Sequence, residues 1–416
     1  MKRLIPTLLL SSFFIAQAEL RTWTSRQGSS IVAQYSAIKE DSVVLITEEP
    51  REISVKLADL SLADRQHLVE YADQPKDILT SVEIGVPEED VRIDKKQFKD
   101  LDLPLCLVPD SEDLCFKLME TDHFLIATAG KARPDAIAET AERLWYGMAF
   151  QHMNFRQDWG DEKFVIFVIE DEEIYEALGK WNVEYLESAG LDGAALQSAS
   201  SWNRVGATQI LLPSEVQKEY GVVRNARVLR VRDQTSRSFR KVFGPFMTNA
   251  IASSLITKQM GGQSGLSAPG YFALTTGHSY FKELQLAGRS ETTLLAPAEY
   301  DSDEIGQTRG FSDGTSWSKS LRKMVKDGEV EIDLARTLGY QNGGDLTPTK
   351  LVTIYALSYY LNSNAARVSS MAELMRRIES GNQIPEAIEI AKLFDFESVE
   401  EFNASWKEFV LSREFK

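Results

Sequence analysis

The chain has 416 residues, of which 46 are Lys or Arg and 62 are Asp or Glu, so its net charge at pH 7 is −16. Such an acidic chain lacks the clustered Lys and Arg that neutralise phosphates, so we expect neither nucleic acid nor an anionic lipid surface as a partner. The length predicts two or three domains, and the 43% of hydrophobic residues is enough for large cores.

The first eighteen residues predict a signal peptide. Lys2 and Arg3 precede the apolar run LIPTLLLSSFFIA, and AQA then supplies a small-x-small cleavage site. We therefore expect a mature chain that begins at Glu19 and is secreted or periplasmic, in a bacterial cell envelope. An uncleaved N-terminal anchor is the alternative. No later apolar stretch is long enough to cross a bilayer, so no membrane span is expected after cleavage.

The stretch after the signal peptide alternates apolar and polar residues as short strands do. Ile31, Ala33 and Tyr35 share one predicted face, and the turn signals RQGS, KEDS and EEPRE separate successive runs. The closing segment LSLADRQHLVEY predicts a helical turn with Ser61 or Asp64 as its N-cap. These patterns indicate a compact, β-barrel-like module of about fifty residues.

Residues 19–72 resemble the Sla-type homology domain 1, a small SH3-like module. The resemblance is carried by Arg21-Thr22-Trp23, Gly28, the hairpin SVVLITEEPREISVKLADLSLAD and Asp64-Arg65-Gln66. It implies protein or peptide binding and an adaptor role. We expect Trp23 to belong to the core of the module, and a ligand-binding platform is the alternative.

Residues 73–118 predict a semi-extended linker, because they contain twelve acidic residues, six basic residues and four prolines. Their last part is expected to form the first strand or hairpin of the next domain. Cys106 and Cys115 are the two cysteines of the chain, and PDSED between them predicts a turn. In an oxidising compartment we expect a local disulfide, with two buried thiols as the alternative.

From residue 119 the pattern predicts mixed α/β structure, and from residue 316 helices. HFLIAT is a predicted strand and RPDAIAETAERLWYGMAF the helix after it, and KFVIFVIEDEEIYEAL contains a second strand followed by a helix. FGPFMTNAIASSLITKQMGG and PGYFALTTGHSYFKE predict two apolar helices. Thr347, Ser370 and Ser398 are the predicted N-caps of later helices. The expected fold class is α+β, with an α+β subdomain at 119–315 and a helical subdomain at 316–416.

This order of elements resembles the gluzincin type of zinc metallopeptidase domain, in its secreted, peptidase-MA-like form. The resemblance places FMTNAIASSLITKQMGG at the active-site helix and PGYFALTTGHSYFKE at the helix after it. IPEAIEIAKLFDFESVEEFNASWKEFV resembles the closing segment of that family. The similarity spans residues 119–416 and implies a peptidase scaffold.

The chain departs from that family at the metal ligands. The family needs HExxH on the first helix, with two histidines to bind zinc, and a glutamate ligand on the second helix. None of the four histidines is followed by Glu or paired at i, i+4; they are His67, His123, His152 and His278. No zinc, other metal or cofactor is therefore expected, and no residue is assigned a catalytic role.

The sequence thus predicts a secreted, non-catalytic protein that binds a protein or peptide, or serves as an adaptor-like scaffold with a pseudopeptidase domain. The former metal cleft is its expected binding site, and the predicted lining residues are Thr248, Asn249, Thr275, Thr276, His278 and Tyr280. Two alternatives are kept: a secreted hydrolase, as a metallopeptidase with atypical ligands or an enzyme on other residues, and a purely structural envelope protein.

Overall fold

The chain divides into two compact units, Met1–Ile78 and Leu79–Lys416. The computed structural model describes residues 20–26, 28–72, 74, 76–80, 85–108, 113–152, 162–204, 206–233, 235–261, 269–295, 297–341 and 346–416. The predicted signal peptide, residues 1–18, and its cleavage site lie outside these ranges. Among the described residues, no helix is both long enough and apolar enough to cross a membrane.

The first unit is a four-stranded antiparallel sheet with one helix. Its strands, in the spatial order β1-β2-β3-β4, are Arg21–Thr24, Ser30–Lys39, Ser42–Thr47 and Glu52–Lys56, and helix α1 is Leu62–Tyr71. Ser61 caps α1 as predicted. β1 and β4 are its two edge strands and the sheet is not closed into a barrel, although Ser25, directly after β1, forms an isolated β-bridge with Leu60. The module therefore differs from the expected SH3-like β-barrel, and Trp23 belongs to the core, at 2% exposed.

One buried carboxylate joins the two ends of this unit. Asp64 accepts hydrogen bonds from Arg21 Nη2 at 2.7 Å, from Thr24 N at 2.6 Å and from Ser61 Oγ at 2.8 Å. The Arg21 guanidinium also lies 4.9 Å from the centre of the Trp23 ring. Asp64 therefore connects β1 to the start of α1, which explains physically why these residue types occur together.

The second unit begins within the predicted linker. Helix α2 (Pro87–Asp90) is followed by strands β5 (Lys99–Cys106) and β6 (Cys115–Glu120), which pair antiparallel. Cys106 and Cys115 lie opposite each other in this pair and are joined by a disulfide. The stretch thus differs from a semi-extended connector, because it adds two strands and buried side chains to the second unit.

A six-stranded mixed sheet forms the first half of this unit. After β6 the elements are β7 (Phe124–Ala129), α3 (Pro134–Gln151), β8 (Phe164–Ile169), α4 (Glu172–Ser188), α5 (Asp192–Ser201), β9 (Ala207–Leu211), α6 (Ser214–Tyr220) and β10 (Asn225–Arg230). The strand order is β5-β6-β7-β8-β10-β9, in which β7, β8 and β10 run parallel. All six residues of β8 are buried, as expected for a central strand with both faces covered.

Eight helices complete the described part of the chain: α7 (Pro245–Gln259), α8 (Tyr271–Ala287), α9 (Trp317–Asp327), α10 (Leu334–Leu338), α11 (Pro348–Leu361), α12 (Ala365–Gly381), α13 (Ala387–Leu393) and α14 (Val399–Leu411). Helix α7 contacts β10, and α8 packs between α7 and α11. Gly277 permits the close approach of α8 and α11, since a Cβ there would lie 2.7 Å from Ile354 O. The general α+β class is confirmed, and 119–315 and 316–416 belong to one compact unit.

Two of the three N-caps predicted for the later helices are present in the structure. Thr347 and Ser398 cap α11 and α14 as predicted, each accepting a hydrogen bond from a backbone N–H in the first turn. The prediction for Ser370 is wrong, because α12 begins at Ala365, six residues before the predicted start at Met371. Its N-cap is Asn364, whose Oδ1 accepts from Arg367 N. Asn is as good an N-cap as Ser, so the earlier signal determines where the helix begins.

Candidate functional site

The six predicted cleft residues lie on α7 and α8 and are all buried. Their side chains are between 0% and 7% exposed; α7 contributes Thr248 and Asn249, and α8 contributes Thr275, Thr276, His278 and Tyr280. Both helices are apolar around most of their circumference and have neighbours on several sides. The structure therefore places these residues in the interior, which differs from the open cleft that the resemblance implies.

Asn249 belongs to a polar cluster centred on Glu283, a residue that the motif analysis did not single out. Glu283 Oε2 accepts from Asn249 Nδ2 at 2.9 Å, and Oε1 accepts from Glu291 N at 2.8 Å and from the Thr292 hydroxyl at 3.2 Å. Burial raises the pKa of Glu283 to about 8, although these hydrogen bonds favour the charged form. The cluster ties α7, α8 and the chain after α8 together.

His278 lies beside a second histidine rather than beside the other predicted residues. The rings of His152 and His278 have centroids 5.9 Å apart, and both side chains are fully buried. His152 Nδ1 is 2.8 Å from Gln259 Oε1, whereas His152 Nε2 and both ring nitrogens of His278 have no partner among the described residues. Burial lowers the pKa of His152 to about 4 and that of His278 well below its usual range. Both rings are therefore neutral at pH 7.

A buried ion pair adjoins these histidines. Lys282 Nζ donates to Glu88 Oε1 at 2.6 Å and to Gln151 Oε1 at 2.9 Å, and the lysine and glutamate side chains are 1% and 0% exposed. A signal for it was present in the sequence. Lys282 follows a helical segment, residues 271–281, that contains no acidic or basic side chain apart from His278. A lysine buried in such a helix needs an internal partner for its charge.

The side chains of α7 and α8 do not match the zinc centre that the gluzincin resemblance implies. No group of three or more His, Cys, Asp or Glu side chains that could hold a metal ion occurs in the described ranges. At the corresponding positions of α7 the chain offers a hydroxyl and a carboxamide, from Thr248 and Asn249. Structural and catalytic zinc sites use at least three imidazole, thiolate or carboxylate ligands, so these residues do not fit such a centre.

A groove of about 970 Å³ opens along a different face of α8. Four aromatic residues from α8, α11 and α14 form its apolar floor: Phe281, Tyr355, Tyr359 and Phe409. Three carboxamides, from Gln151, Gln285 and Asn362, also line it, and Arg413 and Glu414 lie at its margin. None of the six predicted cleft residues lines this groove. Sequence reasoning missed it because its residues come from segments up to 331 positions apart, between Gly85 and Lys416.

Comparisons of this chain with protein-family models, with curated proteins and with solved structures found no match, so the two family resemblances rest on its sequence motifs.

Proposed function

We propose that the chain is a non-catalytic scaffold that binds an extended peptide segment of a partner protein in the groove of its second unit. The observation that carries this proposal is the groove itself. Its volume of about 970 Å³ lies at the upper end of the range for ligand pockets. It combines an aromatic floor with carboxamides and charges, as binding sites for amphipathic ligands do.

The chemistry of the lining matches that of a peptide. The rings of Phe281, Tyr359 and Phe409 offer apolar area for side chains. Carboxamides such as Gln285 carry both donors and an acceptor, which suit the N–H and C=O groups of a peptide backbone.

The first unit fits an adaptor role in the same proposal. The contacts of Asp64 with Arg21, Thr24 and Ser61 support the assignment to the SH3-like, Sla-type homology domain 1, in an open-sheet form. The order of strands and helices in the second unit supports a pseudopeptidase scaffold. The signal-peptide pattern supports placement outside the cytoplasm, as a secreted or periplasmic protein of a bacterial envelope.

The proposal is tested by selecting binders from a displayed library of random heptapeptides on the whole chain. Two variants of α9 make a matched pair: Ser318→Trp places an indole in the groove, whereas Ser320→Trp adds the same side chain outside the groove lining. We expect peptides enriched by the wild type to bind Ser320→Trp with unchanged affinity and Ser318→Trp at least tenfold more weakly.

Enrichment that never exceeds the background, or equal binding by the two tryptophan variants, would overturn the proposal. Mass spectrometry of a bound peptide after prolonged incubation separates it from the hydrolase alternative. Intact peptide is the expected result, and cleavage that the Ser318→Trp variant abolishes would replace binding by catalysis as the function.

A further inference from the structure

A second, much smaller pocket lies between the sheet and α7, away from the groove. Its polar lining residues are Gln209, Asn225, Arg227, Ser254, Thr257 and Lys258. The free space is about 10 Å³, which is room for about one particle the size of a water molecule. No carboxylate is among its lining residues in the described part of the chain, although the whole protein is strongly acidic.

Regular secondary structure brings these donors together. Arg227 on β10 is paired with Gln209 on β9, so their side chains are neighbours on one face of the sheet. Asn225 precedes Arg227 by two residues and shares that face. On α7, Thr257 and Lys258 follow Ser254 by three and four residues, which places all three on the helix face towards the pocket.

Arg227 has no counter-charge within the described residues. Its Nε is buried without a hydrogen-bond partner, and no carboxylate of those residues forms an ion pair with its guanidinium. Other arginines of the chain differ: Arg143 pairs with Glu139, and Arg230 with Glu172. Burial lowers the pKa of Arg227 to about 10, which still leaves it charged at neutral pH. A half-buried cation with no carboxylate beside it is stabilised by a nearby anion.

We propose that this pocket binds a small inorganic anion of the size of chloride. The guanidinium of Arg227 supplies the charge, and the neighbouring ammonium, the carboxamides and the Thr257 hydroxyl supply further donors. The Ser254 hydroxyl donates to Ala250 O instead. The volume excludes an entire phosphate or sulfate ion. Because β10 and α7 both contribute ligands, the bound anion would fasten this helix to the sheet and stabilise the folded chain.

The test is thermal unfolding of the whole chain in sodium gluconate, to which sodium chloride or sodium phosphate is added at constant ionic strength. We expect chloride to raise Tm by a few degrees with saturation. Arg227→Gln should remove that rise. Arg224→Gln, which alters an exposed arginine three residues away outside the pocket, should keep it.

A rise without saturation, an equal rise in Arg227→Gln, or saturation by phosphate and not by chloride would each overturn the proposal. Should Arg227→Gln fail to fold, crystals of the wild type grown in sodium bromide provide the second measurement. An anomalous bromide peak within hydrogen-bond distance of the Arg227 guanidinium supports the site, and the absence of a peak there rejects it.

Discussion

Glu88 and Lys282 lie 194 residues apart in the chain, and their charged groups meet at 2.6 Å in the interior of the second unit. Neither side chain is more than 1% exposed. Each charge compensates the other, since either one alone would be desolvated without a partner. The pair therefore fastens the segment that precedes β5 to α8, the central helix.

Removal of one member of this pair is expected to be costly. For Lys282→Met we expect the free energy of unfolding to fall by about 3–5 kcal/mol, because Glu88 is then left buried and unpaired. The double variant Glu88→Leu/Lys282→Met should lose less than the sum of the single losses. Urea unfolding followed by tryptophan fluorescence measures this, since six of the seven tryptophans lie after residue 79.

Lys163→Met is the matched control, because Lys163 pairs with Glu120 at the same 2.6 Å distance but the two side chains are 22% and 31% exposed. Its loss should be about 1 kcal/mol or less. Equal losses for Lys163→Met and Lys282→Met would contradict a special role for the buried pair.

Gly147 makes room for Glu88 on α3. A Cβ at this position would lie 2.1 Å from Glu88 Oε1 and 2.3 Å from Glu88 Cδ. We expect Gly147→Ala to destabilise the chain by about 1–3 kcal/mol, because the carboxylate must move away from Lys282. Gly193→Ala in α5 is the control: nothing lies within 4 Å of its Cβ, so a gain of about 0.5–1 kcal/mol is expected. Destabilisation of equal size in both variants, measured by urea unfolding, would refute the steric reason.

The buried His152 should make the chain sensitive to acid. Its folded pKa is about 4 against 6.5 as its ordinary value, so between these pH values the unfolded state binds a proton that the folded state does not. The free energy of unfolding therefore falls as the pH drops from 6.5 to 4, by about 3 kcal/mol from this residue alone. His152→Gln should flatten this part of the pH profile, and an unchanged slope would contradict the expectation.

The buried Glu283 should make the chain less stable as the pH rises, the opposite of the effect of His152. Its folded pKa of about 8 exceeds the ordinary 4.5, so the folded state holds a proton that the unfolded state releases. Its contribution to stability is complete below pH 4.5 and is lost as the pH rises through 8. Glu283→Gln should therefore reduce the decline in stability between pH 5 and 8. If the four donors around the carboxylate keep it ionised instead, the variant will leave the profile in that range unchanged.

The disulfide between Cys106 and Cys115 can be verified by counting the cysteines that react with iodoacetamide. Under denaturing conditions without reductant, we expect iodoacetamide to add no carbamidomethyl group, and after reduction to add two, as measured by the mass of the chain. Cys106→Ser/Cys115→Ser should cost about 2–3 kcal/mol, given the short loop that the bond closes. Two additions without reductant would favour the alternative of two buried thiols.

The elements of this fold were predictable where the signal is local. FVIFVI predicts the central strand β8, and the caps at Thr347 and Ser398 follow from side chains that bind their own first turn. The pairing of Glu88 with Lys282 was not predictable, because periodicity carries no information about which distant segments meet. The resemblance to a metallopeptidase likewise did not indicate how deeply the six predicted cleft residues are buried.

The six predicted site residues show why the site was harder than the fold. Every residue of α8 from 271 to 283 is buried, although Thr275, His278 and Lys282 among them are polar. A helix of this kind is covered by neighbours all around. The spacing of residues along α8 indicates which of them share a face. It does not indicate that α7 covers one face and α11 another, which leaves no open cleft at these positions. The groove lies further along α8, where Leu284 and Gln285 become partly exposed.

The position of β10 between β8 and β9 has a consequence for the order in which the sheet can assemble. β9 precedes β10 in the chain but pairs only with β10 in the sheet, so β9 can join the sheet only when β10 has formed. The two form an antiparallel pair across a short connection, whereas β10 must find β8 across about sixty residues. We therefore expect the β9–β10 pair to form early and to dock as one piece, and β8 to present a bare apolar edge until it does.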